Sequence, residues 1–441
     1  MDHASKHLVI GAGFSGLGVA AAFTRRGIPF DLVEADDDVG GNWYHGVYEN
    51  VHIISSRKTT EYTDYPMPAS YPDFPSARQM LDYLRSYAEH YDLRAHLELR
   101  TKVALVSPAP EGRWEVRFES GETRLYGGVV VCNGHHWDKR YPSYPGELTV
   151  PLLHSKDYKS GKELEGKRVL VLGGGNSACD IAVEAARVGA ASHISMRRGY
   201  WFMPKSIFGV PTAELMKPWM PLSMQRAVLK SLLRVVVGRY EDYGLMAPDH
   251  EPFEHHPTIN TELLHYLQHG RITPHPDVAA WEGNTVRFSD GKRLEVDLVV
   301  AATGYHVSFP FVAPGVVRFV DGMPELYGGM TPPHHANLYV FGVGQPRYGA
   351  GPLISAGADV LCTMVETQKR LRNPLGAVLK RMGDRPAKSY LVDPFQVLRA
   401  ARQGQRVIPR LPYLEGWLMR KKRPPREAQS EPHGASTARV D

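Results

Sequence analysis

Two stretches constrain the fold of this chain more than anything else in it. HLVIGAGFSGLGVAAAF, residues 7–23, and RVLVLGGGNSACDIA, residues 168–182, each read as a short apolar strand, a glycine-rich turn and the start of a helix. Repeated strand–turn–helix units build parallel sheets, because a strand that feeds a helix must cross over before the chain can pair beside it. The glycine spacing has a physical basis. In G-x-G-x-x-G the first glycine permits a tight turn, the second lets backbone approach a pyrophosphate, and the third lets the helix pack near the strand. The pyrophosphate then rests on free N–H groups at the positive end of the helix.

In the first turn Gly11, Gly13 and Gly16 fill the three places, with Phe14 and Ser15 between them. The next strand, 30–33, ends at Glu34, eighteen residues past Gly16. A carboxylate there can accept the hydroxyls of an adenosine ribose, which suits FAD. In the second turn Gly173 and Gly175 are followed by Asn176, Ser177 and the tolerated Ala178. Its second strand, 193–196, leads not to an acid but to Arg197 and Arg198. A guanidinium cannot accept from a ribose 2′-hydroxyl, but its planar fork suits a 2′-phosphate, so the second turn suits NADPH. Two dinucleotides in one chain imply hydride transfer from nicotinamide to flavin.

The rest of the chain is laid out around these units. The pattern predicts a helix over 17–26 closed by Gly27, and a helix within 75–93 with Ser76 as N-cap. Strands are expected at 114–118, 128–132, 286–288, 294–302 and 337–344, with a helix over 351–368. The expected architecture is α/β, with two Rossmann-like dinucleotide-binding domains and the NADPH domain inserted in a sequence-split FAD domain. Residues 1–160 form the first part of the FAD domain. Residues 161–300 form the NADPH domain, with a helical insert at about 205–257. Residues 301–415 complete the FAD domain, and 416–441, rich in charge, Pro and Ser, form a disordered tail. The basic amphipathic stretch 217–240 reads as a helix packed on its own domain or on a dimer mate rather than on a membrane surface.

Composition narrows the class. A chain of 441 residues with 43% hydrophobic and 22% charged residues is of ordinary globular type. A net charge of +5 fits an anionic cofactor better than nucleic acid. Cys132, Cys179 and Cys362 lie far apart, which excludes a C-x-x-C dithiol and with it a disulfide reductase. The polar start and the lack of a long apolar run predict no signal and no membrane span, hence the cytoplasm. The pairs His135–His136, His255–His256 and His334–His335 lack ligand spacing, so no metal is expected. His135 and His136 follow a strand end and are placed beside a nucleotide.

In this order the motifs resemble those of class B flavin-containing monooxygenases, over nearly the whole chain to about residue 412. GGNW, with Gly41, Asn42 and Trp43, is similar to the segment that follows the FAD ribose acid. LTVPLLHSKDY lies where the family has F-x-G-x-x-x-H-x-x-x-Y/F; His154 and Tyr158 match, while Leu148 and Val150 replace Phe and Gly. GGGNSACD, RRGYWFMPK, ATGY and FGVGQP also match, the last giving Gln345 as an FAD contact. The resemblance implies that NADPH reduces FAD and that O2 forms a C4a-hydroperoxyflavin. This then oxygenates a soft nucleophile, nitrogen or sulfur, of a small molecule. No protein acid–base pair is required. Tyr158, where Baeyer–Villiger enzymes place Trp, points to the heteroatom-oxidising branch. The resemblance also leaves a homodimer open.

One departure bears on the chemistry. In ISSRKTTEYTDYP, residues 54–66, the family's asparagine facing the flavin falls on Ile54, which can donate no hydrogen bond. His52, Ile54 and Ser55 are therefore the flavin-face candidates. Either Ser55 or another donor takes over, or the chain leaks H2O2. Baeyer–Villiger oxygenation of a ketone, an uncoupled NADPH oxidase and a nucleotide-holding relative without turnover stand as alternatives. The substrate is not legible.

Overall fold

A computed structural model of the chain describes residues 3–217 and 219–420. Ten of its strands build two parallel sheets: β1 (His7–Ile10), β2 (Phe30–Val33), β3 (Leu97–Glu98), β4 (Gly128–Val131), β5 (Leu152–His154), β6 (Arg168–Leu172), β7 (Ala191–Ser195), β8 (Ile272–His275), β9 (Leu298–Ala301) and β10 (Leu338–Val340). The first sheet runs β10-β4-β1-β2-β3 and the second β5-β9-β6-β7-β8. Every pairing within them is parallel. Each sheet holds the same nucleus, in which a strand, its crossover neighbour and the next lie in order and the last strand returns beside the first. They differ in the fifth strand. The first sheet takes it from after the second sheet, and the second takes it from before its own glycine turn. The two linkers so created pair with each other, Asp138–Lys139 against Tyr305–His306.

That arrangement moves one boundary. Strand β5 lies within the stretch assigned from sequence to the first FAD segment, yet it pairs with β9 and belongs to the second sheet. A further revision concerns 294–302. Its apolar run divides into Arg293–Glu295, which pairs antiparallel with Thr285–Phe288, and β9. The break falls at Asp297, whose carboxylate accepts from the Arg168 backbone N–H and guanidinium, each at 2.8 Å.

Helices cover the sheets for reasons visible in their residues. α1 (Phe14–Arg26) is Ala- and Gly-rich and buries every residue from Gly16 to Phe23. α2 (Ala77–His90) begins at a capping box in which Ser76 accepts from the Gln79 N–H and the Gln79 side chain answers at the Ser76 N–H. α3 (Asn176–Val188) covers the second sheet. α4 (Leu222–Val236) is shorter than the amphipathic pattern, because Pro221 supplies its N-cap and Gly238 follows its end. Its Leu229 and Leu233 pack into the second unit's core. The insert also contains a two-stranded hairpin, Ser206–Ile207 with Val210–Pro211, so it is not wholly helical. α5 (Gly351–Gln368) lies on α1, where a Cβ at Gly18 would stand 2.5 Å from Ile354. α6 (Pro394–Val407) and α7 (Leu411–Leu418) follow, so residues 416–418 are helical rather than part of a tail. Residues 421–441 lie outside the described residues. Among the described residues no helix is long and apolar enough to cross a membrane. The three cysteines are buried and free.

Candidate active site

The two glycine turns repeat each other down to the carbonyl group they abut. Gly11 takes a φ of +101°, and a Cβ there would stand 2.7 Å from the Cys132 carbonyl oxygen, just past β4. Gly173 takes a φ of +125°, and its Cβ would stand 2.5 Å from the Ala302 carbonyl oxygen, just past β9. Both positions combine a left-handed backbone with a close approach, which only glycine meets without strain. Gly16 is buried against the turn itself, with room for no side chain below the Gly11 carbonyl. α1 and α3 start at Gly13 and Gly175 with no side-chain cap, so their first N–H groups keep their capacity for a ligand. Beyond its own neighbours along the chain, nothing lies within 4 Å of where a Cβ on Gly175 would be.

Both turns open into one cavity of about 1720 Å³. On the first side Gly11, Gly13, Phe14, Ser15 and Glu34 line it, with Gly41, Asn42 and Trp43 beside them. Glu34 is buried, its carboxylate held by the Ala12 N–H at 2.7 Å and the Asp36 N–H at 3.1 Å. Burial pushes its pKa up despite these donors. Each oxygen keeps a second lone pair for a ribose hydroxyl. On the second side Gly173, Gly175, Asn176 and Ser177 line the cavity together with Arg197 and Arg198. The Asn176 side chain is already engaged. It donates to the Pro257 carbonyl at 3.2 Å and accepts from the Ile259 N–H at 2.8 Å, while Thr258 Oγ1 donates to the Gly174 carbonyl at 2.9 Å. Asn176 thus fastens the returning insert to the turn.

His52, Ile54 and Ser55 all line the same cavity. The Ser55 and Thr60 hydroxyls share a hydrogen bond of 2.7 Å. His52 Nδ1 donates to the Asn50 carbonyl at 3.1 Å, which leaves Nε2 as its acceptor. Gln345 lines the cavity from the short strand Gln345–Pro346, its amide 3.5 Å from His136 Nε2. The neighbouring Arg347 is buried and ion-paired with Asp393, the N-cap of α6.

His154 and Tyr158 do not line the cavity; both are buried behind its wall. The Lys156 N–H donates to His154 Nδ1 at 3.1 Å, which places the ring proton on Nε2, donated to the Gly304 carbonyl at 3.1 Å. The ring is therefore neutral, and burial lowers its pKa. The two matched residues frame Lys156, which does line the cavity and donates from Nζ to Asn42 Oδ1 at 2.7 Å. Burial pulls the Lys156 pKa down to about 8. Lys159 Nζ holds the His45 carbonyl at 2.7 Å, and Tyr48 donates to Asp180 on α3 at 2.7 Å. The segment after the glycine pair is thus held from the second unit.

One cavity residue was invisible to motif reading. Lys156 sits inside HSKDY, between two matched positions, and nothing in its spacing marks it. His135, His136 and His256 gather on the wall between the turns, the first two with pKa values pushed down by burial to about 4 and about 3. Both ring nitrogens of His135 are buried without a hydrogen-bond partner, as is Nε of Arg198. Such orphaned groups, two uncapped helix N-termini and the acid-ended and arginine-ended strands together fit two bound dinucleotides. Among the described residues no three His, Cys, Asp or Glu side chains gather as metal ligands.

The chain matches the family model described as flavin-binding monooxygenase-like over residues 4–372. It is 30% identical over 415 residues to flavin-containing monooxygenase 5 of Oryctolagus cuniculus, covering 87% of this chain and 78% of that one. It is 32% identical over 363 residues to dimethylaniline monooxygenase [N-oxide-forming] 2 of the same species, covering 75% and 67%. Its fold is similar to that of a flavin-containing monooxygenase from Stenotrophomonas maltophilia, with a TM-score of 0.64, 22% identity, and 83% and 99% of the two chains covered.

Proposed function

Because this chain belongs to the flavin-binding monooxygenase-like family and is a flavin-dependent monooxygenase, we propose that it uses NADPH and O2 to oxygenate nitrogen or sulfur in a small molecule. The observation that carries this reading is one cavity bordered by two glycine turns of opposite ending, Glu34 at one and Arg197–Arg198 at the other. In this reading the first unit, completed by β10, holds FAD and the inserted second unit holds NADPH. When bound, the reduced flavin supplies the activation of O2 and the transfer of one oxygen atom to the substrate.

The protein's contribution is to bind, orient and exclude water. Glu34 accepts the adenosine ribose, and the N-termini of α1 and α3 take the two pyrophosphates. Gly13 and Gly175 let backbone approach them. Lys156 fixes Asn42, and through it the Gly41–Trp43 wall, against the flavin site. His135, His136 and His256, held neutral by burial, offer hydrogen bonds without adding charge. Ile54 gives the flavin face an apolar patch. The N-oxide-forming relative and Tyr158, where Baeyer–Villiger enzymes carry Trp, favour heteroatom oxidation over ketone oxidation.

The test is a product assay with a thioether, a tertiary amine and a cyclic ketone, following NADPH and H2O2 alongside. Sulfoxide or N-oxide formed with NADPH consumption is the expected result. Lactone as the sole product would transfer the chain to the Baeyer–Villiger class. H2O2 equal to NADPH with every substrate would make it an oxidase, the outcome that Ile54 favours.

A further inference from the structure

Arg198 does not stand alone at the second turn. Its Nη1 donates to Nε2 of His255 at 2.9 Å, and its guanidinium carbon lies 5.4 Å from the centroid of the Tyr200 ring. All three side chains line the cavity. His255 is 57 positions away in sequence. It arrives on the loop that Asn176 and Thr258 fasten to the turn, so its place beside Arg198 is built into the same framework.

While it accepts from Arg198, the His255 ring is neutral, with its proton on Nδ1. Burial, Arg198 and His250 oppose a second proton, and Glu254 and Asp249 favour one. His250 lies with its ring centroid 4.6 Å from that of His255, and its Nδ1 is paired with Asp249 at 3.0 Å. A 2′-phosphate set against Arg198 would change this balance. Its charge of nearly −2 draws the guanidinium, and the same charge favours the imidazolium. His255 would then donate where it had accepted.

We propose that His255 is a specificity-determining residue for the reduced cofactor: it orients Arg198 for the 2′-phosphate and takes up one solvent proton as that phosphate binds. The preference for NADPH over NADH then grows as pH falls toward the second phosphate pKa near 6. The proposal rests on the assignment of NADPH to the second turn.

Calorimetry on the FAD-loaded enzyme tests it, with 2′,5′-ADP and 5′-AMP as probes in two buffers of different ionisation enthalpy. Wild type is expected to take up protons with 2′,5′-ADP and none with 5′-AMP. His255→Gln keeps an acceptor for Arg198 but cannot titrate, so the uptake is lost. His255→Ala also weakens 2′,5′-ADP at pH 6.5, by about tenfold for a lost charge-assisted hydrogen bond. Uptake by His255→Gln equal to wild type, or unchanged affinity in His255→Ala, overturns the proposal. Arg198→Ala separates the two levels. If it abolishes discrimination between the probes while the His255 variants do not, only the role of His255 falls. If wild type binds both probes equally and Arg198→Ala changes nothing, the NADPH assignment falls with it.

Discussion

Adding one methyl group at the first glycine of each turn should separate the two nucleotide sites. In Gly11→Ala the new Cβ meets a backbone carbonyl oxygen at 2.7 Å, and in Gly173→Ala at 2.5 Å, where ordinary contact begins at 3.4 Å. The turns must therefore yield by 3.4 − 2.7 = 0.7 Å and 3.4 − 2.5 = 0.9 Å. The left-handed φ costs about 1–2 kcal/mol more, and overpacking typically costs about 1–3 kcal/mol. A total of about 2–5 kcal/mol lies within the stability of many domains, so both variants should fold. A shift of nearly 1 Å at a binding turn costs about 100-fold in a reaction that needs alignment. Gly11→Ala should purify with little FAD, read from its visible absorbance. Gly173→Ala should remain yellow, while anaerobic bleaching by sub-saturating NADPH slows by about 100-fold. A Gly173→Ala protein that bleaches at the wild-type rate, or that loses FAD while Gly11→Ala keeps it, refutes the assignment of the turns.

Three other expectations follow from single contacts. Ile54→Asn places a hydrogen-bond donor where Ile54 offers none and should lower H2O2 released per NADPH in the absence of substrate; an unchanged yield removes Ile54 from the control of oxygen chemistry. Ser76→Ala deletes the cap of α2 and should cost about 1 kcal/mol, read as a fall of about 2–4 °C in Tm; no shift would mean the capping box contributes nothing. Lys156 has a pKa lowered from 10.5 to about 8, so between these values the unfolded chain binds more protons than the folded one. Its contribution to stability is complete above 10.5 and is lost as pH falls through about 8. Lys156→Met should flatten the rise of stability over that window, checked by urea midpoints at several pH values; parallel curves for the two proteins would sink the assignment.

What could be read from sequence was local. The turns at Gly11 and Gly173 declare themselves because strand, glycine spacing and helix are contiguous, and the Ser76 cap needs only the next three residues. Pairing partners are a different matter. Nothing in LLH, residues 152–154, says that it will lie beside residues 299–301 rather than in the first sheet. The run 294–302 reads as one strand, and the Arg168–Asp297 contact, 129 positions apart, shows where it breaks. The same holds in the site. Glu34 is placed by its own strand, whereas Lys156 against Asn42 and His255 against Arg198 are meetings of distant segments. His154 and Tyr158 illustrate the converse: neither matched residue lines the cavity, while the unmatched Ser155 and Lys156 between them do.

The origin of the first sheet's fifth strand has a consequence for the nascent chain. β4 ends at Val131 and its outer partner β10 begins at Leu338, a gap of 338 − 131 = 207 positions. At ordinary translation rates that gap lasts roughly 10–40 s. For that time the outer edge of β4, all glycine and valine, stays unpaired, a template that other chains can extend. The strands of the second sheet all lie between Leu152 and Ala301, so the part of the molecule made later can finish first. Yield during rapid expression should then depend less on final stability than on whatever shelters one edge on the ribosome until Leu338 emerges.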